Sequence, residues 1–175
     1  MRVKDLDFNI YLTQEKIQQE LVRLAAAINQ DFADKEPIFV AVLNGAFIFM
    51  ADLARHVTIP SEITFVKIKS YEQLQSTGEH REFIGLEVPI RDRHVIIVED
   101  IVDSGNTIKF LLEKFEEQYP HSISIVTLLF KPDALRHPLD LPYVGFRIPN
   151  DFVVGYGLDY DGFGRNLPDI YKIAD

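Results

Sequence analysis

The chain has no cysteine. That absence removes disulfides, thiol nucleophiles and cysteine-ligated zinc. It also has no run of Lys or Arg, and its formal net charge is −9. An acidic balance argues against sequence-independent binding to DNA, RNA or an anionic membrane, while leaving room for a local basic site. Long hydrophobic runs are lacking as well. The most apolar stretch, Phe39 to Ala51, is interrupted by Asn44 and Gly45, and it is shorter than the ~20 residues a membrane span needs. The opening MRVKDLDFNIYL puts Asp5 and Asp7 where an export signal would be apolar, so a soluble cytoplasmic protein is expected. There is no internal repeat, linker or Walker P-loop, and Gly155-Tyr-Gly157 lacks the third glycine of a dinucleotide fingerprint. Asp159, Asp161 and Gly162 lack the spacing and closing Glu of a calcium loop. The five histidines, His56, His80, His94, His121 and His137, show no metal-ligand spacing and receive no catalytic role.

What is present is an apolar fraction of 47%, enough for a packed core, in a length of 175 residues that suits one domain. Ile17, Leu21, Leu24 and Ile28 recur at helical spacing, which predicts a helix from Thr13 to Ile28 with Thr13 as its cap. IFVAVL after Pro37 and VIIV at Val95–Val98 read as strands buried on both faces. AFIFMADLARHV, and the stretch with Ile108, Leu111, Leu112 and Phe115, read as helices. Glu62–Ile68 and Ser122–Phe130 read as further strands. Ser70 to Glu82 is polar and aperiodic and is expected to be a mobile loop. Strands alternating with helices imply α/β architecture: an open, mostly parallel twisted sheet flanked by helices. The core is expected at about 15–140, with a small hood from the chain ends, about 1–14 and 141–175. In such folds ligands bind at the carboxyl ends of the strands.

The segment from His94 to Thr107, HVIIVEDIVDSGNT, carries the chemistry. Four apolar residues bury a strand, and Glu99 and Asp100 stand at its end. Asp103 follows, and then Ser104, Gly105, Asn106 and Thr107 lead into a helix. Gly105 permits tight backbone geometry and close approach of a ligand. Unpaired amides at a helix start, with the helix dipole, favour a phosphate. Ser104 and Thr107 add hydroxyl donors. Adjacent carboxylates are poor phosphate ligands but good acceptors for a ribose diol, directly or through Mg²⁺. A phosphate seat beside a diol seat describes a ribose 5-phosphate. A plain helix N-cap would explain Asp103 and Ser104, but not three acids crowded at the end of a buried strand.

The run VIIVEDIVDSGNT resembles the phosphoribosyl diphosphate (PRPP) signature of the type I phosphoribosyltransferases. Together with Lys131 and FVVGYGLDY it most resembles their 6-oxopurine branch, the hypoxanthine/guanine phosphoribosyltransferases, from Val40 to Leu167. The resemblance implies transfer of the 5-phosphoribosyl group from PRPP to a 6-oxopurine with release of diphosphate, in purine salvage. It implies Mg²⁺ as cofactor, held by Glu99, Asp100 and Asp159. Asp103 would be the general base near purine N7. Glu99, Asp100 and Asp103 to Thr107 would hold the ribose and 5-phosphate, and Leu43, Asn44, Gly45 and Arg165 the diphosphate. Ser70 and Tyr71 would open a closing loop. Lys131, Phe152, Val153 and Asp159 would form the purine side. Relatives are usually dimers or tetramers, so a homodimer or homotetramer is implied.

Single motifs also have ordinary readings. Asn44-Gly45 is equally a simple turn. Lys131, following IVTLLF, is equally a snorkelling lysine at a strand end. Phe152-Val-Val154 reads as a core strand, DYDGFG as a turn, and 70–82 as an exposed loop without a role. Three alternatives stay open: a relative acting on xanthine or a pyrimidine, a non-catalytic PRPP-sensing regulator that binds nucleic acid, and a signalling or flavin-type doubly wound domain. The acidic balance counts against the second. Asp103-Ser-Gly-Asn-Thr107 after the acid pair counts against the third.

Overall fold

The computed structural model describes residues 1–71 and 80–174. At the amino end, β1 (Arg2–Val3) and β2 (Leu6–Leu12) pair antiparallel. Helix α1 (Gln14–Asp31) starts where Thr13 turns extended and its hydroxyl accepts the Lys16 N–H at 3.4 Å. The predicted stripe of Ile17, Leu21, Leu24 and Ile28 is completely buried. β3 (Ile38–Leu43) and α2 (Phe47–Ala54) follow, then β4 (Glu62–Tyr71) and β5 (His80–Ile84). Next come β6 (His94–Val102), α3 (Asn106–Glu116) and β7 (Ser122–Phe130). A single 3₁₀ turn (Pro132–Ala134) leads toward β8 (Tyr143–Arg147), β9 (Val153–Val154) and β10 (Ile170–Ile173).

The large sheet has the order β5-β4-β3-β6-β7-β8. β4, β3, β6, β7 and β8 run parallel, and β5 closes one edge antiparallel to β4. Side-chain alternation divides the core in two. Phe39, Ala41, Ile96 and Val98 face α1 and α2, while Ile38, Val40, Val42, Val95 and Ile97 pack with Ile108, Leu111 and Phe115 of α3. β3 and β6 are therefore apolar on both faces, as a central parallel strand must be. The second sheet, β1-β2-β10-β9, joins the two ends of the chain as an antiparallel hood. Among the described residues no helix is long and apolar enough to cross a membrane.

Two expectations change. The stretch from Ser70 to Glu82 is not a loop throughout: Ser70 and Tyr71 end β4, and they pair with Arg81 and His80 of β5. A hairpin arm projecting at a sheet edge gains its order from backbone pairing. Such pairing is made by the backbone and needs no apolar period. The tip of the expected loop, 72–79, lies outside the described residues. The segment from Leu141 is also not all hood, because β8 joins the large sheet beside β7.

Candidate active site

The carboxyl ends of β3, β6 and β7 bring the site together. β6 carries Glu99 and Asp100 into its last turn of sheet. Both are buried, at 6% and 8% exposure, and one oxygen of Glu99, Oε2, has no hydrogen-bond partner. Burial first, then the neighbouring Asp100 carboxylate, pushes the Glu99 carboxyl well above the usual carboxylate range. Burial also raises Asp100, while hydrogen bonds from Glu99 and the Ile101 amide and the charge of Arg165 pull it partly back. The Ile101 N–H reaches Asp100 Oδ1 at 2.9 Å. A buried acid pair with an orphaned oxygen is costly, and a ligand bearing hydroxyls or a divalent cation would relieve that cost. Among the described residues no cluster of three or more acidic or histidine side chains forms a cage. The Glu99–Asp100 carboxylates are the kind of donor Mg²⁺ takes one or two of, with its other positions left to substrate and water.

Gly45 shows why the first loop must be small. A Cβ there would sit 1.8 Å from Asp100 Oδ2, so only hydrogen fits between the loop after β3 and the acid pair. The Leu43–Asn44 peptide is cis. Asn44 Oδ1 accepts from Lys67 Nζ of β4 at 3.3 Å. On the other side, Gly157 lies against the Gly45 carbonyl: its φ is +101°, and a Cβ would come within 2.2 Å of that oxygen. The loops at 43–46 and 155–158 thus touch backbone to backbone. Tyr156 fastens the contact by donating to Asp52 of α2 at 2.6 Å, and Gln18 of α1 donates to the same carboxylate at 3.0 Å. Burial, and then that bond to Asp52, raises the Tyr156 phenol far above its ordinary value.

After the acid pair the chain turns outward. Asp103 is half exposed and accepts from Lys131 Nζ at 3.0 Å; the Lys131 side chain is 9% exposed. Lys131 is delivered by the end of β7, whose backbone is tied to β6 where Lys131 N–H donates to Val102 O at 2.9 Å. Gly105, at φ +80°, caps α3. At a helix start the first amides lack intrahelical acceptors. The Asn106 amide reaches the Ser104 hydroxyl at a long 3.4 Å, and Lys109 is the first to bond back, to Gly105 O at 2.9 Å. The Ser104 carbonyl is engaged by the Arg136 N–H at 3.0 Å. Asn106 Oδ1 meets His137 Nε2 at 3.1 Å.

The hood supplies the other wall. Phe152 is 43% exposed, and its ring is steadied by Phe8 at 6.2 Å and Tyr160 at 5.7 Å. Val153 is buried in β9, paired with Lys172 of β10. Asp159 Oδ1 holds Arg165 Nη2 at 2.6 Å, and its Oδ2 accepts the Gly162 N–H at 2.7 Å. Arg165 Nη1 donates to Gly157 O at 2.7 Å. The acid and the arginine that the sequence suggested for cation and diphosphate are therefore clasped to one another.

The structure thus gathers Leu43 to Gly45, Glu99 to Thr107, Lys131 and Arg165 around the strand ends. Ser70 and Tyr71 lie in β4, and their side chains are outside the described positions. Sequence reasoning missed Lys67, Asp52 and His137, because their contacts cross 23, 104 and 31 residues of chain. Only the position of Lys67 at the carboxyl end of a strand could have flagged one of them.

The chain matches the phosphoribosyl transferase domain model over residues 8–161. It is 42% identical over 166 residues to the hypoxanthine-guanine phosphoribosyltransferase of Mycobacterium avium, covering 91% of this chain and 82% of that protein. A solved Bacillus anthracis hypoxanthine-guanine phosphoribosyltransferase with HEPES in its active site superposes with a TM-score of 0.85 at 36% identity, covering 97% of this chain and 98% of that one. A lysine-to-arginine variant of Trypanosoma cruzi hypoxanthine phosphoribosyltransferase, complexed with the product IMP, gives a TM-score of 0.87 at 32% identity, covering 99% and 93%.

Proposed function

The chain belongs to the phosphoribosyl transferase family, and from that premise we propose that it transfers the 5-phosphoribosyl group of PRPP to a 6-oxopurine. Hypoxanthine and guanine are the acceptors, giving IMP or GMP and diphosphate, in purine salvage. The observation that carries this reading is the buried Glu99–Asp100 pair, one oxygen orphaned, directly before the open amide turn of α3. A ribose with an anion at one end and vicinal hydroxyls in the middle fits that sequence of seats.

Each residue then has a task. The Gly105, Thr107 and Ile108 amides and the Ser104 and Thr107 hydroxyls seat the 5-phosphate. Glu99 and Asp100 accept the ribose hydroxyls and, with Asp159, are the side chains available to Mg²⁺. When bound, Mg²⁺ supplies positive charge beside the departing diphosphate oxygens. Lys131 has three donor hydrogens and spends one on Asp103, so another is available for the purine 6-oxo group. Asp103 takes the proton from N7, which leaves the ring nitrogen electron-rich toward C1 of the sugar. The 3.0 Å pairing of Asp103 with Lys131 puts base and carbonyl donor side by side.

Arg165, freed from Asp159 by a competing anion, reaches the diphosphate with its planar fork. The backbone around Asn44 and Gly45 completes that seat. Phe152 offers a ring face to the base, and the Val153 backbone meets the purine edge. The arm formed by β4 and β5, with Ser70 and Tyr71 near its outer end, closes over the reacting centre and keeps water from C1. Ile63 and Phe65 of β4 and Ile84 of β5 are each more than two-fifths exposed. They supply apolar surface for a second copy, consistent with a homodimer or homotetramer.

The direct test incubates the protein with PRPP, Mg²⁺ and, separately, hypoxanthine, guanine, xanthine and adenine, with nucleotide followed by chromatography. Product with hypoxanthine and guanine is expected. Product with adenine alone would overturn the assignment of Lys131, because adenine has no 6-oxo acceptor.

A further inference from the structure

The segment between β7 and β8 wraps the outside of the phosphate turn. Three contacts hold it there. Arg136 N–H donates to Ser104 O at 3.0 Å. The Leu135 and Leu139 methyl groups lie 2.9 Å from where a Cβ on Gly105 would stand, so this glycine is needed for their approach as well as for its φ of +80°. His137 Nε2 lies 3.1 Å from Asn106 Oδ1. A carboxamide oxygen can only accept, so Nε2 carries the hydrogen. The planar carboxamide is then fixed, with its NH₂ turned away from the imidazole. That NH₂ has no acceptor among the described residues. Asn106 is the first residue of α3, on the rim of the seat assigned to the 5-phosphate.

We propose that His137 is a positioning residue for PRPP binding, holding the Asn106 carboxamide so that its NH₂ group donates to the sugar 5-phosphate. The inference rests on the phosphoribosyl transfer reading and deepens one part of it. Among the described residues the hydrogen bond of His137 is to Asn106, not to Lys131 or the loop at 43–46. Its effect therefore falls on the affinity for the phosphorylated sugar and not on the chemical step. Holding a side chain in its bound orientation before the ligand arrives lowers the ordering cost of binding. The local sequence of the turn, Asp103-Ser-Gly-Asn-Thr107, supplies the donor; its aim comes from a residue on a different connection of the sheet.

The test is a set of variants of the full-length protein: His137→Ala, His137→Gln, Asn106→Ala and the double His137→Ala/Asn106→Ala. Steady-state KM for PRPP, KM for hypoxanthine, kcat, calorimetric PRPP affinity and melting temperature are measured on each. His137→Ala is expected to raise the KM and Kd for PRPP about threefold to tenfold, the scale of one neutral hydrogen bond. kcat and the KM for hypoxanthine should stay within about twofold of the wild type. Gln places an amide nitrogen near the position of Nε2, so His137→Gln should recover most of the loss. The double variant should be no worse than Asn106→Ala alone. Unchanged PRPP affinity in His137→Ala, failure of Gln to rescue, or additive losses in the double variant would each overturn the positioning role. A wild-type protein that binds no PRPP would instead overturn the functional reading on which the role depends.

Discussion

The two ends of β6 both carry ionisable side chains, and the protein treats them in opposite ways. At the amino end, His94 is partly buried but provided for. Its Nδ1 lies 2.6 Å from the Ser122 hydroxyl, and its ring meets His121 at 4.4 Å and Phe32 at 6.1 Å. Toward the carboxyl end, five and six residues on, Glu99 and Asp100 are buried against each other with an oxygen left over. One strand therefore has a finished end and an unfinished one. Burial alone does not separate structural from functional polar groups. What separates them is whether the protein itself completes their hydrogen bonding.

This contrast can be broken most severely at the carboxyl end. Asp103→Asn keeps the shape and the Lys131 contact but removes the proposed proton acceptor. It is expected to lower kcat by ~10²–10⁴, the usual range for one general base, with little change in KM. Full activity in that variant would take Asp103 out of the chemistry. Phe152→Ala removes the ring proposed to stack on the base. A base–aromatic contact worth ~1–3 kcal/mol predicts a rise in purine KM of roughly 5- to 150-fold, with PRPP affinity intact. An equal loss for both substrates would assign Phe152 to hood stability alone.

The next comparison is sharper because stability and binding should move in opposite directions. Glu99→Gln replaces a buried carboxyl crowded against Asp100 with a neutral amide, so the free protein should melt a few degrees higher. The same change weakens the grip on the ribose hydroxyls, so calorimetry should show PRPP affinity falling by about tenfold. A variant that melts lower and binds PRPP normally would make the acid pair a structural feature, like the histidine at the other end.

The smallest effect belongs to the amino end. Burial, and then His121 and Lys35, push the His94 imidazole below its usual value, which is near ~6.5. The unfolded chain then binds the proton more readily than the folded one. The stability this group contributes is present above about pH 6.5 and is lost as the pH falls below it. His94→Gln should reduce the drop in melting temperature between pH 7.5 and pH 5.5 by about a degree or two, and kcat at neutral pH should not change. A loss of activity in this variant would mean the two ends of β6 are not independent.

The legible parts of this molecule are the ones whose cause lies within a few residues. The Ile17–Leu21–Leu24–Ile28 stripe, the doubly buried β3 and β6, and the acids followed by Gly105 all act through local spacing, and the structure has them in place. The hairpin arm was not legible. β4 runs on to Tyr71 because β5 pairs with it, and no apolar period is needed for that. The Lys131–Asp103 contact was also hidden, although each residue was singled out on its own. Adjacency of the ends of β6 and β7 is a property of the sheet order and not of either motif. His137 left no local trace at all, since the turn it serves lies on the preceding helix.

The close approach of Gly157 to the Gly45 carbonyl, locked by Tyr156 and Asp52, joins two loops that are 112 positions apart in the chain. The proposed function puts one in the seat of the leaving group and the other beside that of the incoming ring. With no slack between them, a compound that displaces either loop must displace the other. Thermodynamic reciprocity then requires each occupant to change the other's affinity by the same factor. An inhibitor built for one seat should therefore be measured with the opposite seat both filled and empty, because its potency is a property of the pair.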